Sequence, residues 1–381
     1  MAITKVVNAT GGGVPADGGS VMPVLTADGR YLAFASDATN LVPGDANVFR
    51  DIFVRDLRTG KTERVSVHTN GTEAANGHSS FPSISADGRY VAFESAAINL
   101  VGGDSNGLID IFVHDRQSRV TVRVNVSTER YQAFGGQSYY PSISADGRYV
   151  AFVSDATNLV PGDSNKLPDI FVHDTVKGTT QRVSVAGGGA QASGGDSTQP
   201  VISADGRYVA FASEATNLVP GDTNGFTDIF VHDRVEGTNQ RVNIATGGAQ
   251  AVGGHSFYPS ITADGRYVAF VSDATNLVSK DTNNSWDIFV HDRQTGTTSR
   301  ASVASGGAQA DAGSARPSIS ADGRYIAFES GAMNLVPDDS NDVVDVFLHD
   351  REVNKTTRVS VLTGDAVSKK TGEGELKGAR K

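Results

Sequence analysis

The chain has 381 residues with 43 glycines, 12 prolines, 17 phenylalanines and no cysteine, and its 33 basic against 43 acidic side chains leave a formal charge of -10. An apolar fraction of 38% supports a sizeable core and excludes a disordered or collagen-like chain, and the missing cysteines exclude disulfide frameworks, thiolate metal sites and cysteine nucleophiles. The negative charge argues against nucleic acid, whose phosphates a partner must neutralise, and no apolar run approaches the ~20 residues of a membrane insertion.

The N-terminus, Met1 to Val7, has no apolar signal core. The expected location is extracellular or cell-surface, with a periplasmic one open, any leader having been removed. Lys5-Val6-Val7-Asn8 reads as an outer strand that runs into a glycine-rich crossover ending near residue 20. From residue 21 to 361 one text then recurs six times. Its Ala-Asp-Gly-Arg-Tyr string places aspartates at Asp28, Asp87, Asp146, Asp205, Asp264 and Asp322, spaced 59, 59, 59, 59 and 58 residues apart. The units are residues 21–67, 80–126, 139–185, 198–244, 257–303 and 315–361. A fixed period of this length signals one supersecondary unit stacked on its own copies.

The fourth unit shows the predicted elements. Pro200 to Ser203 and Tyr208 to Ser213 are strands joined by Asp205-Gly206, residues that accept the positive φ of a tight hairpin. A long insert leads to a third strand, Ile229 to His232, and the Gly237 region turns it into an outer strand, Arg241 to Ile244. Tyr208-Val-Ala-Phe211 is apolar at nearly every position, as a strand covered on both faces should be. The basic segment 362–381 that follows the last unit is expected to be disordered.

Six four-stranded antiparallel sheets packed around an axis make an all-β, six-bladed β-propeller. The units resemble the WD40-like repeats of TolB-type propellers. The resemblance is carried by Ser203-Ala-Asp-Gly-Arg207, Ala210-Phe211 and Asp228-Ile-Phe-Val-His-Asp233, with equivalents over residues 21 to 361. It implies a binding or scaffold domain. Seven outer-strand segments serve six units, so ring closure is expected to put Lys5, Val6 and Val7 into the last blade, leaving Arg358, Val359 and Val361 as a fifth strand or an unpaired tail. The alternative is a filament subunit that gives its surplus strand to a neighbouring copy.

By strand parity the long inserts and the crossovers share one face, the default recognition surface. Each insert carries Asp-x-Asn-x-x-x-Asp: Asp45/Asn47/Asp51, Asp104/Asn106/Asp110, Asp163/Asn165/Asp169, Asp222/Asn224/Asp228, Asp281/Asn283/Asp287 and Asp339/Asn341/Asp345. Oxygen ligands at this spacing suit calcium, and equally suit Asx-turns with no metal. Phe81, Tyr140, Tyr258 and Arg316 precede the inner-strand prolines, and Phe49, Phe226 and Trp286 stand at the loop tips. They are candidates for contacting a protein, a surface glycan or another copy, or for packing within the loops. His114, His173, His232, His291 and His349 share one position in different blades, which favours packing over a shared metal. No paired carboxylate or Ser-His-Asp set stands apart from the repeat, so the expected function is non-enzymatic, with a hydrolase or lyase at the central channel the remote alternative.

Overall fold

A computed structural model describes residues 7–9, 13–337 and 339–360. The chain is an all-β, six-bladed β-propeller of four-stranded antiparallel blades, each running in sequence order from the axis outward. Blade 1 is β1 (Ser20–Leu25), β2 (Tyr31–Ser36), β3 (Asp51–Asp56) and β4 (Thr62–Arg64). Blade 2 is β5 (Ser79–Ile84), β6 (Tyr90–Ser95), β7 (Asp110–Asp115) and β8 (Val120–Arg123), and blade 3 is β9 (Ser138–Ile143), β10 (Tyr149–Ser154), β11 (Asp169–Asp174) and β12 (Thr179–Arg182). Blade 4 is β13 (Ser197–Ile202), β14 (Tyr208–Ser213), β15 (Asp228–Asp233) and β16 (Thr238–Arg241), and blade 5 is β17 (Ser256–Ile261), β18 (Tyr267–Ser272), β19 (Asp287–Asp292) and β20 (Thr297–Arg300). Blade 6 is β21 (Ser314–Ile319), β22 (Tyr325–Ser330), β23 (Asp345–Asp350) and β24 (Lys355–Arg358).

The outer strand ends where it was expected to begin. In blade 4 only Arg241 of Arg241–Ile244 is laddered, opposite Phe230. Beyond it the Asn243 side chain replaces the backbone: its Oδ1 accepts from Ile229 N at 3.0 Å and its Nδ2 donates to Asp228 Oδ1 at 2.5 Å. Side-chain substitution of this kind ends a ladder without orphaning its groups.

The recurring words of the sequence are the fold's fasteners. The aspartate of each Asp-Gly-Arg turn accepts from the preceding Ser or Thr hydroxyl, as Asp205 Oδ1 does from Ser203 at 2.6 Å. The arginine reaches back bidentately to the last aspartate of the third strand, as Arg207 does to Asp233 at 2.7–3.0 Å. Between blades, a face of small and branched residues meets a face of larger ones. Ala33, Ala35, Ile52, Val54 and Val65 of blade 1 bury against Val91, Phe93 and Phe112 of blade 2. At the turn, the next blade offers a glycine because a ring lies against it: a Cβ on Gly88, Gly147, Gly206, Gly265 or Gly323 would overlap Tyr31, Tyr90, Tyr149, Tyr208 or Tyr267. At roughly 25 cal/mol per Å2 of buried apolar area, such junctions are the principal source of stability.

Among the described residues five such junctions form. The second strand of each blade packs on the first strand of the next from β2 and β5 through to β18 and β21, and no comparable packing joins β22 to β1. Gly29, unlike its five counterparts, has open space around it, and no ring meets it from Tyr325. Strands β22 and β23 accordingly alternate in burial where the inner blades are covered on both faces.

The expected closure is therefore corrected. Arg358 pairs with Phe347 inside β24, Val359 N donates to Val346 O at 2.8 Å and Ser360 Oγ donates to Asp345 Oδ1 at 2.5 Å, so blade 6 completes itself with its own outer strand. Residues 7–9 lie against blade 1 where the outer segment of the preceding blade lies in the other units, one residue out of the expected register. Asn8 donates to Ser20 Oγ at 3.2 Å as Asn125 does to Ser138 at 3.0 Å, and Ala9 O accepts from Arg55 Nη1 at 2.5 Å. Asn8 thus stands for Asn125 and Val7 for the residue before it. Lys5, Val6, Val361 and the segment 362–381 lie outside the described residues.

Candidate functional site

In each of the six Asp-x-Asn-x-x-x-Asp loops the two aspartates gather around an arginine from the end of the outer strand. Arg64, Arg123, Arg182, Arg241, Arg300 and Arg358 each place Nη1 between the two aspartates of their own blade at 2.6–3.2 Å. The asparagine closes the loop as an Asx-turn: Asn47 Oδ1 accepts from Phe49 N at 2.8 Å while its Nδ2 donates to Asp51 at 3.0 Å, and Asn106, Asn165, Asn224, Asn283 and Asn341 make the corresponding bonds. Blade 1 differs, because Glu73 joins Arg64 at 3.1 Å where the next four blades carry glutamine. Burial pushes the Asp45 carboxyl up to about 6, with Arg64 opposing and Asp51 and Glu73 adding to the rise.

The strand-three histidines are separate and buried. Nδ1 of His114, His173, His291 and His349 lies 2.9 Å from the hydroxyl of Thr121, Thr180, Thr298 or Thr356, and His232 meets Asn239 at 2.8 Å. Each of those threonines donates in turn to a carbonyl of the preceding blade, such as Val67 O, so the set forms inter-blade fasteners. Burial lowers His114, His173 and His291 to about 4, keeping them neutral.

The partner-contact candidates divide. Phe49 and Phe226 are half-buried and pack edge-on against His78 and His255 of the following crossover, at 5.4 and 5.1 Å between ring centres. They brace loops. Trp286 is exposed and rests on Phe257 at 5.9 Å. Phe81, Tyr140, Tyr258 and Arg316 occupy inner-strand bulges with φ of 50°, 53°, 52° and 51°, where two residues oppose one on the neighbouring strand. Such a bulge turns a side chain out of the pleat at the cost of a backbone conformation that side chains rarely adopt. Tyr140 and Phe81 contact edge-to-face at 4.7 Å, and both line a cavity of about 280 Å3 bounded by the inner strands of blades 1 to 4.

Beside Tyr140 lies a feature that a repeat-by-repeat reading missed. A cavity of about 390 Å3 between blades 3, 4 and 5 is lined by Tyr139, Tyr140, Phe257 and the carboxylates of Asp155, Asp196 and Glu214. In blade 1 the acid at this position, Asp37, is neutralised by Arg50 at 2.9–3.0 Å. In blades 3 and 4 the position of Arg50 is taken by Pro168 and Thr227, and no guanidinium meets Asp155 or Glu214 among the described residues. Burial raises Asp155 and Asp196, and Asp196 and Glu214 add to these rises respectively. The signal was present as the substitution of Arg50 by Pro168 and Thr227.

Among the described residues no group of three or more His, Asp or Glu side chains is placed to hold a metal ion, and no helix is long and apolar enough to cross a membrane. No family model matches the chain and no curated protein matches it. Solved structures do. The β-propeller domain of the Trilobed protease from Pyrococcus furiosus aligns over 90% of this chain and 83% of its own, at 14% identity and a TM-score of 0.55. Pyrococcus horikoshii acylaminoacyl peptidase aligns over 90% of this chain and 46% of its own, at 12% identity and a TM-score of 0.52. TolB from Acinetobacter baumannii aligns over 91% and 65%, at 15% identity and a TM-score of 0.46. The chain thus spans about two thirds of that TolB and about half of that peptidase. At these identities the likeness is one of fold, that of a β-propeller.

Proposed function

We propose that the chain is a non-catalytic interaction module of a secreted or cell-surface protein, and that its loop face takes a cationic group of a protein partner, a lysine or arginine side chain, at the cavity between blades 3 and 5. One observation carries this reading: the repeat neutralises its acid with Arg50 in blade 1 and leaves Asp155 and Glu214 without that arginine around a cavity walled by Tyr139, Tyr140 and Phe257. Carboxylates draw a cation in, aromatic faces hold it by cation–π attraction, and a chain of net charge -10 steers it. The test is calorimetric titration with a lysine-containing peptide and with a glutamate-containing control. Binding of the former alone, weakened by salt and by Asp155→Asn, is expected; equal binding of both peptides, or an unaffected Asp155→Asn, refutes the reading.

A further inference from the structure

We propose that the cavity in the central channel, bounded by the inner strands of blades 1 to 4, takes an aromatic side chain of the same partner segment whose lysine or arginine enters the cavity between blades 3 and 5. The assignment rests on that reading of the neighbouring cavity, because Tyr140 is a wall of both.

The bulges are the first argument. Met22, Phe81, Tyr140, Gln199, Tyr258 and Arg316 all hold φ between 50° and 56°, one in every blade, and each is followed by proline. A side chain in that region carries a steric penalty that glycine escapes. The chain has 43 glycines and places one in every Asp-Gly hairpin, yet it places none at the six bulges. The strain is borne for the side chain, and strained residues of this kind gather where a ligand is held. Three of the bulge amides are also fastened from the preceding blade. Phe81 N donates to Met22 Sδ at 3.4 Å, Tyr140 N to Glu94 Oε2 at 3.0 Å and Tyr258 N to Gln199 Oε1 at 2.7 Å. The rings are thus set before a ligand arrives, which spares the entropy of ordering them on binding.

The walls of the cavity select its occupant. Phe81, Tyr140, Pro82, Pro141, Pro200 and Val201 make it largely apolar. Its volume of about 280 Å3 lies just under the ~300 Å3 at which pockets for whole small molecules begin, so it admits one large side chain. Two hydroxyls line it as well. Ser83 and Ser142 stand two residues further into the channel than Phe81 and Tyr140, ~7 Å along an extended strand. Their oxygens accept Ile143 N and Ile202 N at 3.1 Å, and each hydroxyl can still donate its proton and accept once more. An aromatic side chain with a polar edge, tryptophan or tyrosine, therefore meets rings first and a hydroxyl beyond them. Tyr140 is 39% exposed and stands between this cavity and the carboxylates of Asp155 and Glu214, so a short extended segment reaches both.

Calorimetric titration of the full chain with short peptides tests the assignment. Each peptide carries one lysine and one tryptophan, adjacent or one or two residues apart in either order, and is compared with counterparts in which either residue is alanine. In at least one spacing the tryptophan is expected to tighten binding of the lysine peptide about tenfold or more. Phe81→Gly removes the ring and suits a φ of 50°, so it is expected to keep the circular dichroism spectrum and to lose that gain. Lysine peptides that bind with no gain from tryptophan overturn this inference and leave the cation site standing. A gain that survives Phe81→Gly overturns it too, by placing the aromatic side chain elsewhere. No binding by any peptide, or tryptophan binding that needs no lysine and ignores Asp155→Asn, refutes the cation reading and the two-point partner with it.

Discussion

Replacing Arg241 by alanine removes the only guanidinium from a cluster in which Nη1 sits 2.9 Å from Asp222 and 3.1 Å from Asp228. Asp228 is fully buried, and burial and Asp228 together already raise Asp222, so the variant leaves two carboxylates facing each other without a cation. Breaking a buried pair by deleting one partner costs about 3–5 kcal/mol, because the remaining charge is desolvated and unpaired. The loss is read as a drop in urea midpoint and, blade by blade, as faster hydrogen exchange around residues 222–244. The vacated cluster keeps Asp222, Asn224 and Asp228, the oxygen set that the sequence pattern offers to calcium. In the variant, 5 mM calcium acting at a Kd of about 0.5 mM returns ~1.4 kcal/mol. In the wild type, where the arginine occupies the cluster, calcium against chelator is expected to leave the midpoint unchanged. A wild-type midpoint that rises in calcium as much as the variant's, or a variant as stable as wild type in chelator, refutes the reasoning that arginine does the work of the cation.

Two further predictions concern the junctions. Glu94 is raised to about 7 by burial, relieved only by Tyr140 N–H, so its folded pKa lies above the unfolded one; wild-type stability is greatest at or below about pH 4.5 for this group and is lost as pH rises to about 7. Glu94→Gln should flatten that slope and gain on the order of 2–3 kcal/mol over wild type at pH 8, as measured by urea denaturation across pH; an equal midpoint difference at pH 5 and pH 8 contradicts it. Gly206→Ala forces a Cβ into the Tyr149 ring from a φ of +72°, whereas Gly29→Ala at +67° meets open space in the protomer. The first should cost about 2–4 kcal/mol and the second only the backbone strain of about 1–2, and equal losses in thermal denaturation of the monomer would show the sixth junction to be closed.

Much of this architecture was legible because the repeat writes its fasteners at fixed places. Tyr208–Ser213 was bounded correctly since its unbroken apolar text has no other use than a doubly covered strand, and Asp205-Gly206 announced its hairpin. The outer strand was misplaced because Arg241, Val242, Asn243 and Ile244 alternate as a strand does, while the hydrogen bonds that end the ladder come from the Asn243 side chain, which alternation does not reveal. The arginine at the head of that segment was placed in the outer strand without a partner being foreseen, and it is the counter-ion of aspartates 13 and 19 positions earlier. The absence of packing between β22 and β1 among the described residues was not legible either, because both strands carry the same words as the packed ones. The cavity beside Tyr140 was missed for the opposite reason. It lies at a position the repeat leaves variable, where the six units carry Arg50, Ile109, Pro168, Thr227, Trp286 and Val344, and only the three-dimensional juxtaposition shows that Arg50 pairs with the neighbouring acid.

Restoring that arginine is the most direct test of the account. Thr227→Arg recreates, beside Glu214, the pair that Arg50 and Asp37 form in blade 1, a pair this fold already accommodates. The account predicts a folded variant with an unchanged spectrum whose calorimetric response to the lysine-containing peptide is abolished. A variant that binds that peptide as the wild type does would contradict the assignment of the cavity.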